Sequence, residues 1–368
     1  MAALHDLWRH LQRQLFPVLT EELGELGEKD RQFVQVVALL PLGRWIHRYD
    51  WSGWGRPPHE RIWMLHGFIA KAVYQFPTTE ALIDALGARS TLRRLCGWES
   101  VADLPHAATF SRAFAQFAAD ELPQQILQGM VQTHCGPKLV GHISRDATAI
   151  EGHERPVPKT KTSSAPPPRY KRGRPKKGEV RPPRPPTRLE QQLTRPLAEN
   201  LAELPRQCDI GCKTNSHGSK YFWIGYKLHL DVADGQIPIS CVLTAASLND
   251  TQVAVPLSRL TAQRVTNCYD LMDAGYDSEQ LRQFSTALGH VPIIPGRKHG
   301  ARPAPPLDPH QRVRFRERTA VERVYSRLKE EFGGNFVRVR GWTKVMAHLM
   351  FGILALTVDQ ILRLAPSP

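Results

Sequence analysis

The sequence predicts an α/β protein: a mixed sheet flanked by helices, preceded by a helical region and broken by one non-globular insertion. Three observations carry this. Residues 1–138 place apolar side chains on a helical period between turn signals at WSGWGRPPHE (51–60), QFP (75–77) and CGWESVADLP (96–105). From KLVGHISRDATAIEG (138–152) onward, β-rich runs alternate with helical ones, the pattern of a sheet covered by helices. Between them, residues 155–188 hold twelve Lys or Arg, ten Pro and a single acid, Glu179, in 34 positions. Such a stretch cannot bury enough apolar surface to offset its ordering entropy, and a disordered or polyproline-like conformation is expected.

In the helical region, Thr78 and Thr79 precede EALIDALG and Thr109 precedes FSRAFAQFA, so helices should start at both places. The run at 138–152 reads as a short strand ending in the charged pair Arg145 and Asp146. Order returns after about 205. YFWIGYKLHLDVADGQIPISCVLTAA (221–246) is two β-rich runs around Ala233-Asp234-Gly235-Gln236, a hairpin signal. A helix follows from Asn249 or Asp250, then a strand within 265–278 that stops at Asp273 and turns at Ala274-Gly275. Asp277 and Gln280 have capping-box spacing for the next helix. HVPIIPGRK (290–298) is one more strand, and two helices complete the chain, at about 312–332 and 343–364. The expected organisation is a helical N-terminal domain over 1–138, the first strand of the second fold over 139–154, a basic insertion over 155–205, and the rest of the second fold over 206–368.

Forty-nine Lys and Arg against 35 Asp and Glu leave a net charge of +14, which favours a polyanionic partner, nucleic acid before an anionic membrane surface. Six scattered cysteines in a chain this long do not suggest a disulfide framework, and a reducing compartment is expected. The N-terminal residues carry charges on a helical period instead of a signal-peptide pattern. The longest apolar run, LMFGILALTV (349–358), is about half of what a bilayer crossing needs and reads as a buried C-terminal helix.

Two carboxylates fall at strand ends, Asp146 and Asp273, where α/β proteins place functional side chains. Asp270 competes with Asp273, but Asp273 falls at the strand-to-turn junction. A third acid, Glu322, belongs to the first late helix. Phe315, Arg318, Glu322 and Lys329 are spaced 3, 7 and 14 residues from the first, so on a continuous helix all four return to within roughly 60° of one another. Three carboxylates can hold two Mg²⁺ ions about 4 Å apart for phosphoryl transfer, with Arg and Lys beside them for the flanking phosphates. Each acid alone has a plainer reading: a helix ion pair for Arg318 and Glu322, a strand-end or turn residue for Asp146.

HISRDATAIEGHERP, YDLMDAGYD and RFRERTAVERVYSRLKE together resemble the three acidic blocks of the DDE transposases of bacterial insertion sequences. The late helix is similar to the Tyr, Arg, Glu, Lys signature of the transposase family 4 and 5 branch. Arg318, Glu322 and Lys329 match it, while Phe315 stands where Tyr is usual and lacks the hydroxyl. The resemblance covers roughly 75–360, including the hairpin and the stretch 78–117. It implies an RNase H-like core in which Asp146, Asp273 and Glu322 bind two Mg²⁺ ions, with Mn²⁺ as the alternative. Arg318, Lys329 and Phe315 would contact DNA. It further implies cleavage at transposon ends, strand transfer into target DNA, and an N-terminal domain for DNA-end binding or dimerisation. A homodimer acting on terminal inverted repeats and target DNA, in the bacterial cytoplasm at the nucleoid and without a membrane, is expected. Two other classes stay open: a non-catalytic architectural or regulatory DNA-binding protein, and an RNase H-like nuclease without strand transfer.

Within the insertion, KRGRPKKGE (171–179) is similar to the core of an AT-hook. Lys171, Arg172, Arg174, Lys176 and Lys177 would either lie in an A·T-rich minor groove or bind phosphates without sequence preference. Cys208, Cys212 and His217 only loosely resemble a zinc set. Asp231, Asp234 and Asp250 flank turns and are expected as caps. The N-terminal tryptophans are expected mostly in helix packing.

Overall fold

The computed structural model describes residues 2–46, 53–54, 59–158, 185–214, 218–297 and 305–365. The cations at 171–177 and His217 lie outside the described residues.

The N-terminal region is helical. Thr78 caps the helix Thr79–Ala88 through its hydroxyl, which accepts from the Ala81 amide at 3.1 Å. The next expected start is displaced: the helix Ala107–Ala119 begins two residues before Thr109, because the His106 ring accepts from the Ala108 amide at 3.2 Å and serves as the cap. Phe68 packs edge-on against Phe110 and Phe117 in the centre of this bundle.

Among the described residues six strands form one mixed sheet. β1 (Leu139–Glu151) is central, antiparallel to β3 (Lys220–Ala233) and parallel to β5 (Thr266–Met272). β6 (Val291–Ile293) extends the sheet parallel to β5. β4 (Ile237–Ala245) returns from β3 through the expected turn at 234–236. β2 (Asp209–Thr214) pairs with the N-terminal half of β3, where β4 has ended. Asp270, the alternative acid on β5, is buried and accepts from Ser285 Oγ, Asn267 Nδ2 and His290 Nδ1 at 2.5, 3.1 and 3.1 Å. Although burial works against ionisation there, His290, Arg145 and Ser285 hold its carboxyl below the ordinary range.

Several expectations are corrected. β1 does not end at Arg145 and Asp146; it continues to Glu151 because β3 supplies a partner for every residue from Ile143 onward. Residues 188–202, expected inside the disordered insertion, form two short helices, Arg188–Thr194 and Leu197–Ala202. A capping box between Thr187 and Glu190 starts the first, and Gln192 and Asn200 bury fully, with the Asn200 amide donating to the Gln192 carbonyl at 2.9 Å. The capping box expected at Asp277 is absent: Ser278 is the N-cap residue, and Asp277 instead accepts from Arg282 at 2.8 Å and from the Arg297 amide at 2.9 Å. The helix expected over 312–332 is broken by a 3₁₀ turn, Arg316–Arg318, separating Pro309–Phe315 from Thr319–Glu331. Asp231, expected as a cap, is fully buried on β3 in a two-pronged pair with Arg145, at 2.7 and 2.6 Å, and also accepts from Thr261 Oγ1 at 2.6 Å.

The apolar run near the C-terminus belongs to a longer helix, Trp342–Leu364, which by length and composition could cross a membrane, but 94% of its apolar window is buried inside the protein. It packs on the N-terminal helices and on β4, so one continuous core joins Phe68 and Phe117, the sheet residues Ile143, Leu228 and Leu230, and Met350 and Ile353. Burying this helix is how the sheet and the helical bundle come to share a core.

Candidate active site

The parallel register of β1 and β5 ends at Arg145 opposite Met272. The next residues are Asp146 and Asp273, so the two acids follow the end of the parallel pairing side by side. The strands continue differently. Asp146 stays within β1, its carboxylate accepting from the Ala147 amide at 2.8 Å. Asp273 ends β5 and caps the 3₁₀ turn Ala274–Tyr276, accepting from the Gly275 amide at 2.8 Å.

Burial pushes the Asp146 carboxyl up from 3.8 to about 6. The Ala147 amide and the Arg318 guanidinium oppose this, the Asp273 carboxylate adds to it, and Lys213 on β2 opposes it again. A buried carboxyl with a second carboxylate beside it is a site with affinity for cations.

Glu322 reaches this pair through Arg318. Arg318 Nη1 lies 3.4 Å from Asp146 Oδ2, and Nη2 of the same guanidinium donates to the Glu322 carboxylate. Among the described residues no three His, Cys, Asp or Glu side chains converge closely enough to hold one ion. Glu322 is turned onto Arg318, and its side chain is half exposed on the helix Thr319–Glu331. Carboxylate oxygens are hard ligands of the kind that divalent Mg²⁺ or Mn²⁺ takes.

The other members of the helical signature are held separately. The Phe315 ring lies under the Arg318 guanidinium, 5.7 Å from its centroid. Lys329 Nζ donates to Thr148 Oγ1 at 2.9 Å, two residues beyond Asp146 on β1. Burial lowers the Lys329 pKa, and nearby Lys213 adds to the effect. The break at Arg316–Arg318 therefore leaves Phe315, Arg318 and Glu322 in one contact chain, although they do not belong to one helix.

Tyr325 was not singled out in the sequence. Its hydroxyl is buried and bridges three backbone groups, donating toward the carbonyls of Asp146 at 2.7 Å or Leu228 at 3.1 Å and accepting from the Leu230 amide at 3.1 Å. It anchors the Glu322 helix to the strand positions that hold Asp146. The signal that could have found it is its place on the buried face of RTAVERVYSRLKE, three residues after Glu322. Tyr276, just beyond Asp273, is fully buried; burial raises its phenol far above the usual range, and the charges of Asp250, Asp146 and Asp273 contribute. Asp250 precedes the helix Thr251–Ala262 and accepts from Lys227 Nζ at 3.0 Å. Cys208 is buried just before β2 and Cys212 is exposed within it, with no metal-holding group formed around them among the described residues.

Two family models match the chain. The Transposase domain (DUF772) family matches residues 21–116, most of the helical region, and the Transposase DDE domain family matches residues 190–358. The second span contains Asp273 and Glu322 and the strands β2 to β6; Asp146 lies between the two matches, and the sheet register brings it to Asp273. Neither the curated proteins nor the solved structures gave a match. A mixed RNase H-like sheet with helices, adjacent acids just past a parallel strand pairing, and two transposase domains in order along one chain converge on a single assignment. The chain belongs to the DDE transposases of insertion sequences.

Proposed function

We propose that Asp146, Asp273 and Glu322 are the carboxylates at which this transposase cuts transposon ends and joins the freed 3′-hydroxyl to target DNA. The observation that carries this reading is the side-by-side position of Asp146 and Asp273 just past the parallel pairing of β1 and β5, with Arg318 linking Asp146 to Glu322. DDE transposases use divalent metal ions, and here the three acids would hold two Mg²⁺, with Mn²⁺ as the alternative. Bound there, the ions would activate the attacking oxygen and stabilise the leaving one.

The residues around the acids have defined tasks in this reading. Arg318 keeps the carboxylates compensated before loading and is then free to take a phosphate oxygen in a planar, two-pronged contact. Lys329, fastened to Thr148, places a second cation two strand residues further along β1. Phe315 supports the Arg318 guanidinium from below and offers a ring face where the family branch commonly has a phenol. The N-terminal helices would bind DNA ends or pair two copies, and a homodimer would bring two ends together at the nucleoid. The insertion, with Lys171, Arg172, Arg174, Lys176 and Lys177, would add sequence-tolerant affinity for DNA.

The test is cleavage and joining of end-bearing DNA in Mg²⁺. Asp146→Ala should abolish both while DNA binding persists, and unimpaired cutting by that variant overturns the assignment. Cutting without joined products would instead identify a nuclease, and binding without any cutting by the wild type an architectural protein.

A further inference from the structure

The turn that carries Asp273 is held from outside. β5 and β6 run parallel and pair as far as Leu271 opposite Ile293, so the segments leaving the two strands are neighbours. Arg297, in the segment after β6, reaches the turn Ala274–Tyr276 that follows β5. Its Nε donates to the Ala274 carbonyl at 2.7 Å, and Nη2 of the same guanidinium donates to the Gly275 carbonyl. Its own amide donates to Asp277 Oδ2 at 2.9 Å. Asp277 Oδ1 accepts from Arg282 at 2.8 Å, and the same Arg282 nitrogen lies 2.7 Å from the Ile294 carbonyl. The start and the end of the turn are thus both tied to the segment after β6.

One peptide links Arg297 to Asp273. The Ala274 carbonyl and the Gly275 amide belong to the same planar unit, and in a trans peptide they point in opposite directions. Fixing the carbonyl on Arg297 Nε therefore fixes the amide on the far side of the plane, and that amide donates to Asp273 Oδ1 at 2.8 Å. A cation on the oxygen also polarises the peptide and makes its N–H a stronger donor. Asp273 Oδ2 takes no hydrogen bond among the described residues, so the held carboxylate keeps one oxygen for an ion.

Gly275 leads to the same reading from space alone. Its backbone is not in the left-handed region, yet a Cβ there would stand 2.7 Å from Asp273 Oδ1. The bare α-carbon is what lets the carboxylate lie against its own turn.

We infer that Arg297 is a positioning residue for the reaction: through the Ala274–Gly275 peptide it holds the Asp273 carboxylate in the orientation that takes a divalent ion. The inference rests on the assignment of Asp273 to the catalytic site. A planar guanidinium suits the task, because its fixed fork can reach two successive carbonyls at once, whereas a lysine ammonium is a point charge on a flexible stem and cannot fix a peptide plane in this way. The role acts through Asp273 and requires no contact between Arg297 and DNA.

Hydrogen exchange and ion binding on the full chain without DNA test this. In EDTA, Arg297→Ala should speed exchange of the Gly275 amide at least about tenfold, as a hydrogen bond to a charged group is loosened, while the Ala147 amide, which holds Asp146, exchanges as in the wild type. The Mg²⁺ concentration that gives half of the full rise in unfolding midpoint should increase by about ten- to a hundredfold in Arg297→Ala, the usual cost of losing an outer partner of a metal ligand. Gly275→Ala should act in the same direction, and Arg297→Lys should fall between Arg297→Ala and the wild type. The EDTA unfolding midpoint of Arg297→Ala should move by no more than about 2 °C, because the residue is exposed, and its affinity for end-bearing DNA in EDTA should be unchanged. Gly275 exchange as slow in Arg297→Ala as in the wild type overturns the inference, and so does an unchanged Mg²⁺ requirement. Weaker DNA binding with an unchanged Mg²⁺ requirement would make Arg297 a phosphate contact and overturn it equally. Asp273→Asn separates the two readings: if it loses Mg²⁺ binding and Arg297→Ala does not, the role of Arg297 alone falls, and if it binds Mg²⁺ as the wild type does, the catalytic assignment of Asp273 falls too.

Discussion

Replacing Asp146 by Asn should stabilise the metal-free protein while abolishing cleavage. The Asp146 carboxyl is raised from 3.8 to about 6, chiefly by burial, so the folded chain holds a proton there more readily than the unfolded chain does. The folded state therefore loses stability as pH rises through that window: the penalty is absent below about 3.8, grows between 3.8 and 6, and is complete above 6. Two pH units at 1.36 kcal/mol each make it about 3 kcal/mol, and the side chain is only 23% exposed, so solvent removes little of it. Asn keeps the shape without the charge. Urea or thermal unfolding in EDTA at pH 8 should show the variant more stable by up to about 3 kcal/mol, or by roughly 5 °C, and the two proteins should converge near pH 4. Mg²⁺ should raise the midpoint of the wild type at pH 8 and move the variant much less. A variant equal to or less stable than the wild type at pH 8 would refute the premise that the site is a strained anionic pair.

Tyr325→Phe removes a buried hydroxyl that bridges Asp146, Leu228 and Leu230; urea titration should show a loss of about 1–3 kcal/mol, with cleavage impaired beyond that loss because the Glu322 helix shifts. Arg145→Met strips the buried Asp231 of its two-pronged partner and should cost about 3–5 kcal/mol; a loss under about 1 kcal/mol, measured in the same way, would mean that the pair is not what holds β1 to β3 there. Deleting residues 159–184 should lower DNA affinity and reduce the slope of log affinity against log salt by about 0.9 for each phosphate the protein no longer neutralises; an unchanged slope would remove the insertion from DNA binding.

Much of this architecture was legible because its causes are local. The turn at 234–236, the stop of β5 before Asp273, the cap at Thr78 and the buried C-terminal helix each follow from residues within a few positions of one another. The expectations that failed concern partners distant in sequence. β1 runs past Asp146 because β3, some 80 residues away, supplies hydrogen bonds along its length, and nothing within 138–152 encodes that partner. Residues 188–202 fold because Gln192 and Asn200 find buried polar partners, which the Pro-, Lys- and Arg-rich stretch immediately before them obscures.

The candidate site divides in the same way. Residue type and spacing single out Asp146, Asp273 and Glu322 as candidates in three ordered blocks, since acids within or just after β-rich runs and an Arg, Glu, Lys series are written along the chain. Their relation in space comes from the parallel register of β1 and β5 and from Arg318 spanning two of them. Asp270 on β5 and Asp273 just past its end are three residues apart, and packing separates them: Asp270 is consumed by Ser285, Asn267 and His290, whereas Asp273 emerges beside Asp146. Tyr325 and the hold of Arg297 on the turn after Asp273 depend wholly on tertiary contact, because hydrogen bonds from a side chain to distant backbone have no local signature. Covalent order thus names the candidate acids, and burial and strand register, which join residues more than a hundred positions apart, set Asp146 beside Asp273 and Arg318.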